Sequence, residues 1–209
     1  ALPISIVALG TAAVVMAADA EVAMKKFAKA FEGSTDEAAA GVELLNKSFG
    51  IAESSAISAM AFTGDLLKGF GATGEQALAT SLEVQKLAAA LSASDGIAFE
   101  EASMRVTKAL TGETEGLKSL GFVIRQTDID QQLMLKGQQD LTGSSQTMAK
   151  AQAILEIATM QAGDAIENFG NNSDTLSYQF NTLIGDAKQM GIEFGTVMIP
   201  LLKDIISEV

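Results

Sequence analysis

Histidine and cysteine, the side chains behind much of protein chemistry, are both missing from this sequence. Histidine general bases, thiolate nucleophiles, thiolate metal sites and disulfides are therefore excluded. Carboxylates and amines remain. Glu113 and Glu115 could be read as an acid–base pair. Two residues apart on a helix they do not share a face, and no nucleophile lies nearby in sequence. Their position suits another use, as acidic residues in the first turn of a short helix, where the macrodipole favours negative charge. Asp128, Asp130 and Asp140 lack calcium-loop spacing and read as a solvated face. Gly69, Gly71 and Gly74 spell G-x-G-x-x-G. A dinucleotide fingerprint needs a strand before it, and here a helical pattern precedes. Lys25, Lys26 and Lys29 could touch anionic lipid, or simply mark the wet side of a helix. The reading is a non-enzymatic protein with no catalytic, cofactor-binding or metal-ligating residues and no cofactor. The one route left to catalysis is a carboxylate or lysine site assembled from distant residues.

The elements that position these residues read as all-α. There are two prolines in 209 residues, long alanine-rich stretches, and no sustained period-two alternation outside residues 122–124. The pattern predicts helices over 3–31, 35–49, 51–70, 75–91 and 100–110, and a short one over 113–120. Glycine-rich turns separate them, and 92–96 reads as a turn. Ser34 or Thr35 is expected to cap the second helix, with Asp36 and Glu37 in its first turn. On the fourth helix Leu78, Leu82, Leu87 and Leu91 fall on or near one face. Residues 126–145, rich in Gln, Asp, Gly and Ser, read as a helix over 128–139 or as a linker. The expected architecture is a helical bundle, or an array of helical hairpins with short glycine-rich turns, followed by long amphipathic, coiled-coil-like C-terminal helices. The expected regions are 1–125 (hairpins, opened by an apolar helix), 126–146 (polar linker or weak helix) and 147–209 (amphipathic helices).

That last region carries a heptad-like seam. Apolar or small residues fall at Met148, Ala151, Leu155, Ala158, Ala162, Ala165 and Phe169, in steps of three and four. The seam resumes at Leu176 and continues through Leu183, Met190 and Phe194 to Leu201. Two readings stand: ordinary amphipathic helices of a bundle, or self-association. At the other end, residues 2–18 are uncharged and apolar, including Leu2, Ile6, Val7, Val14 and Val15. No basic region precedes them, so they do not read as a secretory signal. The run is shorter than the roughly 20 residues a spanning helix needs. It reads as a buried helix or as a membrane segment hidden until needed. The chain opens on Ala1 and reads as processed or as a piece of something longer.

Composition narrows the partners. Hydrophobic residues make up 48% and aromatic ones 5%, so the core must be built largely from Ala, Leu, Ile, Val and Met. Small side chains let helices approach closely but bury less apolar area each, which suggests packing partners outside the chain. The net charge of −12 argues against gripping DNA or RNA, which needs a basic face.

One segment carries a recognisable pattern. In residues 109–124, Gly112, Glu113, Leu117, Leu120 and Gly121 punctuate a break between two helices. The pattern resembles the tape measure proteins of long-tailed bacteriophages. Residues 151–179, with Phe169, Ser173, Asp174 and Gln179, are similar to that family's helix, turn and Ser-Asp segment. Residues 190–202, with Gly191 and Pro200, look like its closing motif. The resemblance implies a virion structural protein that occupies the tail tube or tip, helps set tail length and takes part in genome ejection through the host envelope. It implies partners: copies of itself, most simply three, tail tube, distal tail and tip or hub proteins, tail assembly chaperones, and the host membrane at ejection. It implies no sequence-specific nucleic-acid binding. Family members are usually much longer. A single helix of this chain's length would span only about 310 Å at 1.5 Å per residue, so the chain would be one domain of such a protein. The rival readings are a membrane-active helical protein resembling a pore-forming toxin, and an Ala- and Gln-rich signalling coiled coil.

Overall fold

The computed structural model describes residue 19 and residues 21–163. The apolar run 2–18 lies outside them, as do the seam beyond Ala162 and the motif residues Phe169, Ser173, Asp174, Gln179, Gly191 and Pro200. Among the described residues every regular element is a helix. Residues 21–30 are helical (α1). Then follow α2 (Thr35–Phe49), α3 (Glu53–Gly69), α4 (Gly74–Asp95), α5 (Phe99–Ala109), α6 (Glu115–Lys118), α7 (Gln126–Leu135) and α8 (Gly143–Gln161).

Local chemistry explains the boundaries, including those that differ from the sequence pattern. Ser34 occupies the N-cap of α2 but its side chain caps nothing. Instead the Thr35 hydroxyl turns back and donates to the Phe31 carbonyl at 3.2 Å. The built cap stands at α4, inside the glycine-rich break. Thr73 Oγ1 accepts from the Gln76 amide, and Gln76 Oε1 accepts from the Thr73 amide at 3.1 Å. α4 also runs a full turn beyond the predicted end, through what reads as a turn. Its late serines find partners there: Ser92 Oγ donates to the Ile97 carbonyl at 2.7 Å and Ser94 Oγ to the Leu91 carbonyl at 3.4 Å. The predicted short helix over 113–120 shrinks to the four residues of α6, flanked by turns. The polar stretch after residue 125 does hold a helix, α7, which starts at Gln126 and buries Ile129 and Leu133.

Packing is organised around α4. It lies most extensively against α3 and α5 and also meets α2 and α8, while α8 rests on α7 and touches α5. A helix wrapped on so many sides has little solvated face. Buried residues on α4 accordingly go all round, from Ala77 through Val84 to the run Leu87–Ser92. One buried cluster extends from Phe27 to Ala162. Much of the alanine works inside the chain: Ala56, Ala77, Ala88, Ala102, Ala109 and Ala151 are all fully buried. Close approach is tight at Gly64, where a Cβ would stand 2.7 Å from Phe31 Cζ. The Phe31 ring in turn packs edge-on against Phe27, with centroids 5.0 Å apart.

The described part of the heptad-like seam, Met148 to Ala162, faces this core. Met148, Ala151, Leu155, Ala158 and Ala162 are buried, and so are Ala149, Ala153, Ile154 and Ile157 between them. The buried face of α8 is thus broad, not a narrow stripe, and it is satisfied within the chain. Among the described residues no helix is long and apolar enough to cross a membrane.

Candidate interaction site

The segment that carries the recognisable pattern folds into a compact connector between α5 and α7. The chain leaves α5 through a turn at Gly112, runs through α6, and reverses again at Gly121. Both glycines have positive φ, +94° and +88°, a conformation that costs any other L-residue about 1–2 kcal/mol. Between them Leu117 is fully buried and Leu120 packs against the core. Arg105 on α5 ties the connector down. Its guanidinium donates to the Gly116 carbonyl at 3.2 Å and to the Ser119 hydroxyl, and pairs with Glu101 one helical turn away. Gly116 leaves room for it, since a Cβ there would meet Arg105 Cγ at 3.2 Å.

The apolar strap after Gly121 is fixed by a contact spanning 38 residues. The Val123 amide donates to Gln161 Oε1 at 2.9 Å, and Gln161 Nε2 donates to the Val123 carbonyl at 2.7 Å. One glutamine side chain pairs with the strap's backbone as a neighbouring strand would. Phe122 is buried beneath it, while Val123 itself is half exposed.

The residues that could do chemistry are kept apart. Glu113 is exposed, with the Thr111 hydroxyl 3.5 Å from its carboxylate, and Glu115 pairs with Lys118 at 3.5 Å. Asp128 accepts from the Arg125 amide at the start of α7, Asp130 from Gln126, and Asp140 from Gln139. Among the described residues no three acidic side chains gather as a metal site would require. Lys25 pairs with Glu21 at 2.7 Å, and Lys26 and Lys29 are exposed. Of the G-x-G-x-x-G glycines, Gly69 closes α3 and Gly74 opens α4. Gly71 lies against Ser144 at the start of α8, where a Cβ would fall 2.7 Å from the serine Cβ. The glycines seat one helix terminus against a loop.

A polar cluster that the sequence pattern does not announce lies deep between α3, α4 and α5. The Thr63 hydroxyl donates to the Ala59 carbonyl at 3.0 Å and stands 2.9 Å from Thr107 Oγ1. Thr63's single proton is committed to Ala59, so Thr107 must be the donor in that pair. Gln85 Nε2 donates to Thr63 Oγ1 at 2.9 Å and to the Ala59 carbonyl at 3.3 Å. Gln85 Oε1 accepts from Ser103 Oγ at 2.7 Å. Gln85, Thr63 and Thr107 are wholly buried. Their donors are spent on one another and on the Ala59 carbonyl, which makes the cluster a structural device. Among the described residues Ser81 Oγ is buried with no partner.

No protein-family model, curated protein or solved structure matches the chain.

Proposed function

We propose that this chain is a structural, non-enzymatic domain of a tail tape measure protein, from a long-tailed phage or a phage-derived tail. The observation that carries the reading is the pattern in residues 109–124. Gly112 and Gly121 supply its two positive-φ reversals and Leu117 its buried anchor. The pattern thus has a consistent physical use as a connector in an all-helical domain. The finer architecture belongs to the same proposal: an array of helical hairpins followed by long amphipathic C-terminal helices in the tail. In this reading the domain sits in the tail tube or tip as a small oligomer, most simply a trimer. It contacts tube, distal tail and tip proteins and the assembly chaperones, and it reaches the host envelope when the genome is ejected. The net charge of −12 suits a component that shares a conduit with DNA without gripping it.

Mass spectrometry of tail particles purified from the source culture tests this. Peptides of the chain should co-purify with tail tube proteins at a few copies per particle and fall after ejection is triggered. Recovery from cell membranes, with none in particles, would refute the reading and favour a membrane-active protein unrelated to tails.

A further inference from the structure

A groove of about 570 Å³ opens between α4, α7 and α8 beside the end of α2. On α4 its wall is Glu83, Lys86, Leu87 and Ala90, the i, i+3, i+4, i+7 spacing of one helix face. Leu87, Ala90 and Leu155 are buried and form an apolar floor, to which Phe49 adds a ring. Met160 lines the same groove yet is 62% exposed, a flexible thioether at its mouth. The charged side chains differ in their commitments. Glu156 is neutralised by Lys136 at the end of α7. Glu83 and Lys86 are exposed, and neither makes an ion pair with a described residue. The side chains of Gln132 and Thr159 line the groove and make no hydrogen bond within the described residues. We propose that this groove binds a single-chain amphiphile with a zwitterionic head. The hydrocarbon tail lies on the apolar floor, an anionic phosphate meets Lys86, and an ammonium meets Glu83.

Size selects a small molecule over a protein partner. The volume falls inside the roughly 300–1,000 Å³ of small-molecule sites, which are mostly apolar with a few polar groups at their edges. Ten described residues line the groove, against about 20–30 on each side of a stable protein interface. Charge selects the head. A simple alkyl anion would satisfy Lys86 and set its charge against Glu83, and an alkylammonium would do the reverse. Residues three apart on a helix are neighbours, about 5–6 Å apart at Cβ. A phosphate and an ammonium joined by two carbons bridge that separation, so one head satisfies both side chains. Gln132 and Thr159 offer neutral N–H and O–H donors to the remaining phosphate oxygens. The apolar floor lowers the local dielectric, which strengthens each pairing relative to open water. The inference holds whether or not the chain serves a tail.

The test is isothermal titration calorimetry of the intact 209-residue chain with dodecylphosphoethanolamine, kept below its critical micelle concentration. One molecule per chain is expected, bound at least tenfold more tightly than dodecyl phosphate or dodecylamine. Lys86→Gln should weaken binding of the zwitterion at least tenfold and erase its advantage over dodecylamine. Thr159→Trp places a large ring in the groove from an exposed position that makes no hydrogen bond. It should abolish binding and leave the circular dichroism spectrum unchanged. Methyl-¹³C methionine NMR on the unmodified chain locates the site without relying on that variant. The Met160 methyl resonance, assigned with Met160→Leu, should shift on titration, and that of Met60, fully buried on α3, should not. Equal affinity for the three heads would reduce the groove to a bare apolar patch. Uptake that begins only with micelles would mean that no free amphiphile enters it. No binding by the intact chain would give the groove to a second copy or to another segment of the chain. Each of these results overturns the proposal, as does a Met160 resonance that stays in place.

Discussion

Replacing Gln85 by leucine tests whether the buried polar cluster holds α3, α4 and α5 in register. The substitution keeps most of the side-chain volume and removes three hydrogen bonds, two given to Thr63 and Ala59 and one received from Ser103. The consequences differ by partner. Thr63 keeps Ala59 as acceptor and Thr107 as donor, and the Ala59 carbonyl keeps Thr63. Only the Ser103 hydroxyl, 4% exposed, is stripped of its partner. One orphaned buried donor costs about 1–3 kcal/mol, so Gln85→Leu should destabilise by about that much. Gln85→Ala adds a cavity and should cost about 3–5 kcal/mol, a large part of the roughly 5–15 kcal/mol that holds a domain folded. The sharper prediction is a coupling. Ser103→Ala alone leaves Gln85 Oε1 without its donor, whereas the double variant Gln85→Leu/Ser103→Ala leaves neither group stranded. Its cost should therefore fall below the sum of the singles by about 1 kcal/mol or more. Urea unfolding followed by circular dichroism reads this as shifts in midpoint at constant slope. An unmoved midpoint in Gln85→Leu, or strict additivity in the double variant, would refute the argument.

Other expectations follow from single contacts. Gly64→Ala forces a Cβ to within 2.7 Å of Phe31 Cζ and should cost about 1–3 kcal/mol, partly recovered by Phe31→Leu in the same urea assay. Leu117→Ala empties the connector's fully buried anchor. It should cost about 2–5 kcal/mol and expose residues 110–124 to limited proteolysis. On the surface of α2, the hydrogen bond and charge of Lys47 hold the Glu43 carboxyl below its ordinary range, and Glu43 raises Lys47. That stabilisation is present between the ordinary carboxylate and ammonium ranges. It is lost as pH falls through the lowered carboxylate value or rises through the raised ammonium value. The small midpoint difference between the chain and Glu43→Gln should therefore vanish in acid and shrink with added salt. For the apolar run 2–18, the intact chain should leak liposomes and Val7→Asp plus Val14→Asp should not; equal leakage would assign the run to ordinary core.

Sequence pattern carries the helices that local chemistry defines. Gly50 ends α2 where the pattern stops, with left-handed φ, and α2 keeps the predicted bounds. The limits of the pattern are equally physical. The cap at Thr73 hides inside a glycine run that reads as a break, because its partner Gln76 lies inside the next helix. α7 is polar on most of its surface and buries only Ile129 and Leu133, too few for a clear period. Gln85 sits among the leucines of α4, and nothing within a helical turn signals that it points at Ser103, 18 residues on. The Gln161 clasp on Val123 spans 38 residues and has no local signature at all. Of the pattern in 109–124, the turns at Gly112 and Gly121 are legible from residue type, whereas the anchoring Arg105 lies outside the pattern.

Alanine ties these features together. Ala56, Ala77, Ala88 and Ala102 bury little apolar area each, so they contribute little of the free energy that large side chains supply. They also impose little register, because a small side chain fits many positions along a neighbouring helix. A core of this kind needs contacts that work in one alignment only. Gly64 admits the Phe31 ring at one place on α3, and the Gln85 cluster closes only when α3, α4 and α5 stand at one relative height. The Gln161 clasp does the same for α8 against the connector. In such a fold the apolar contacts supply attraction and the few polar and glycine contacts supply uniqueness. Disrupting one of the latter should therefore loosen helix alignment before it abolishes helicity, which is the order of events that distinguishes a register device from ordinary core.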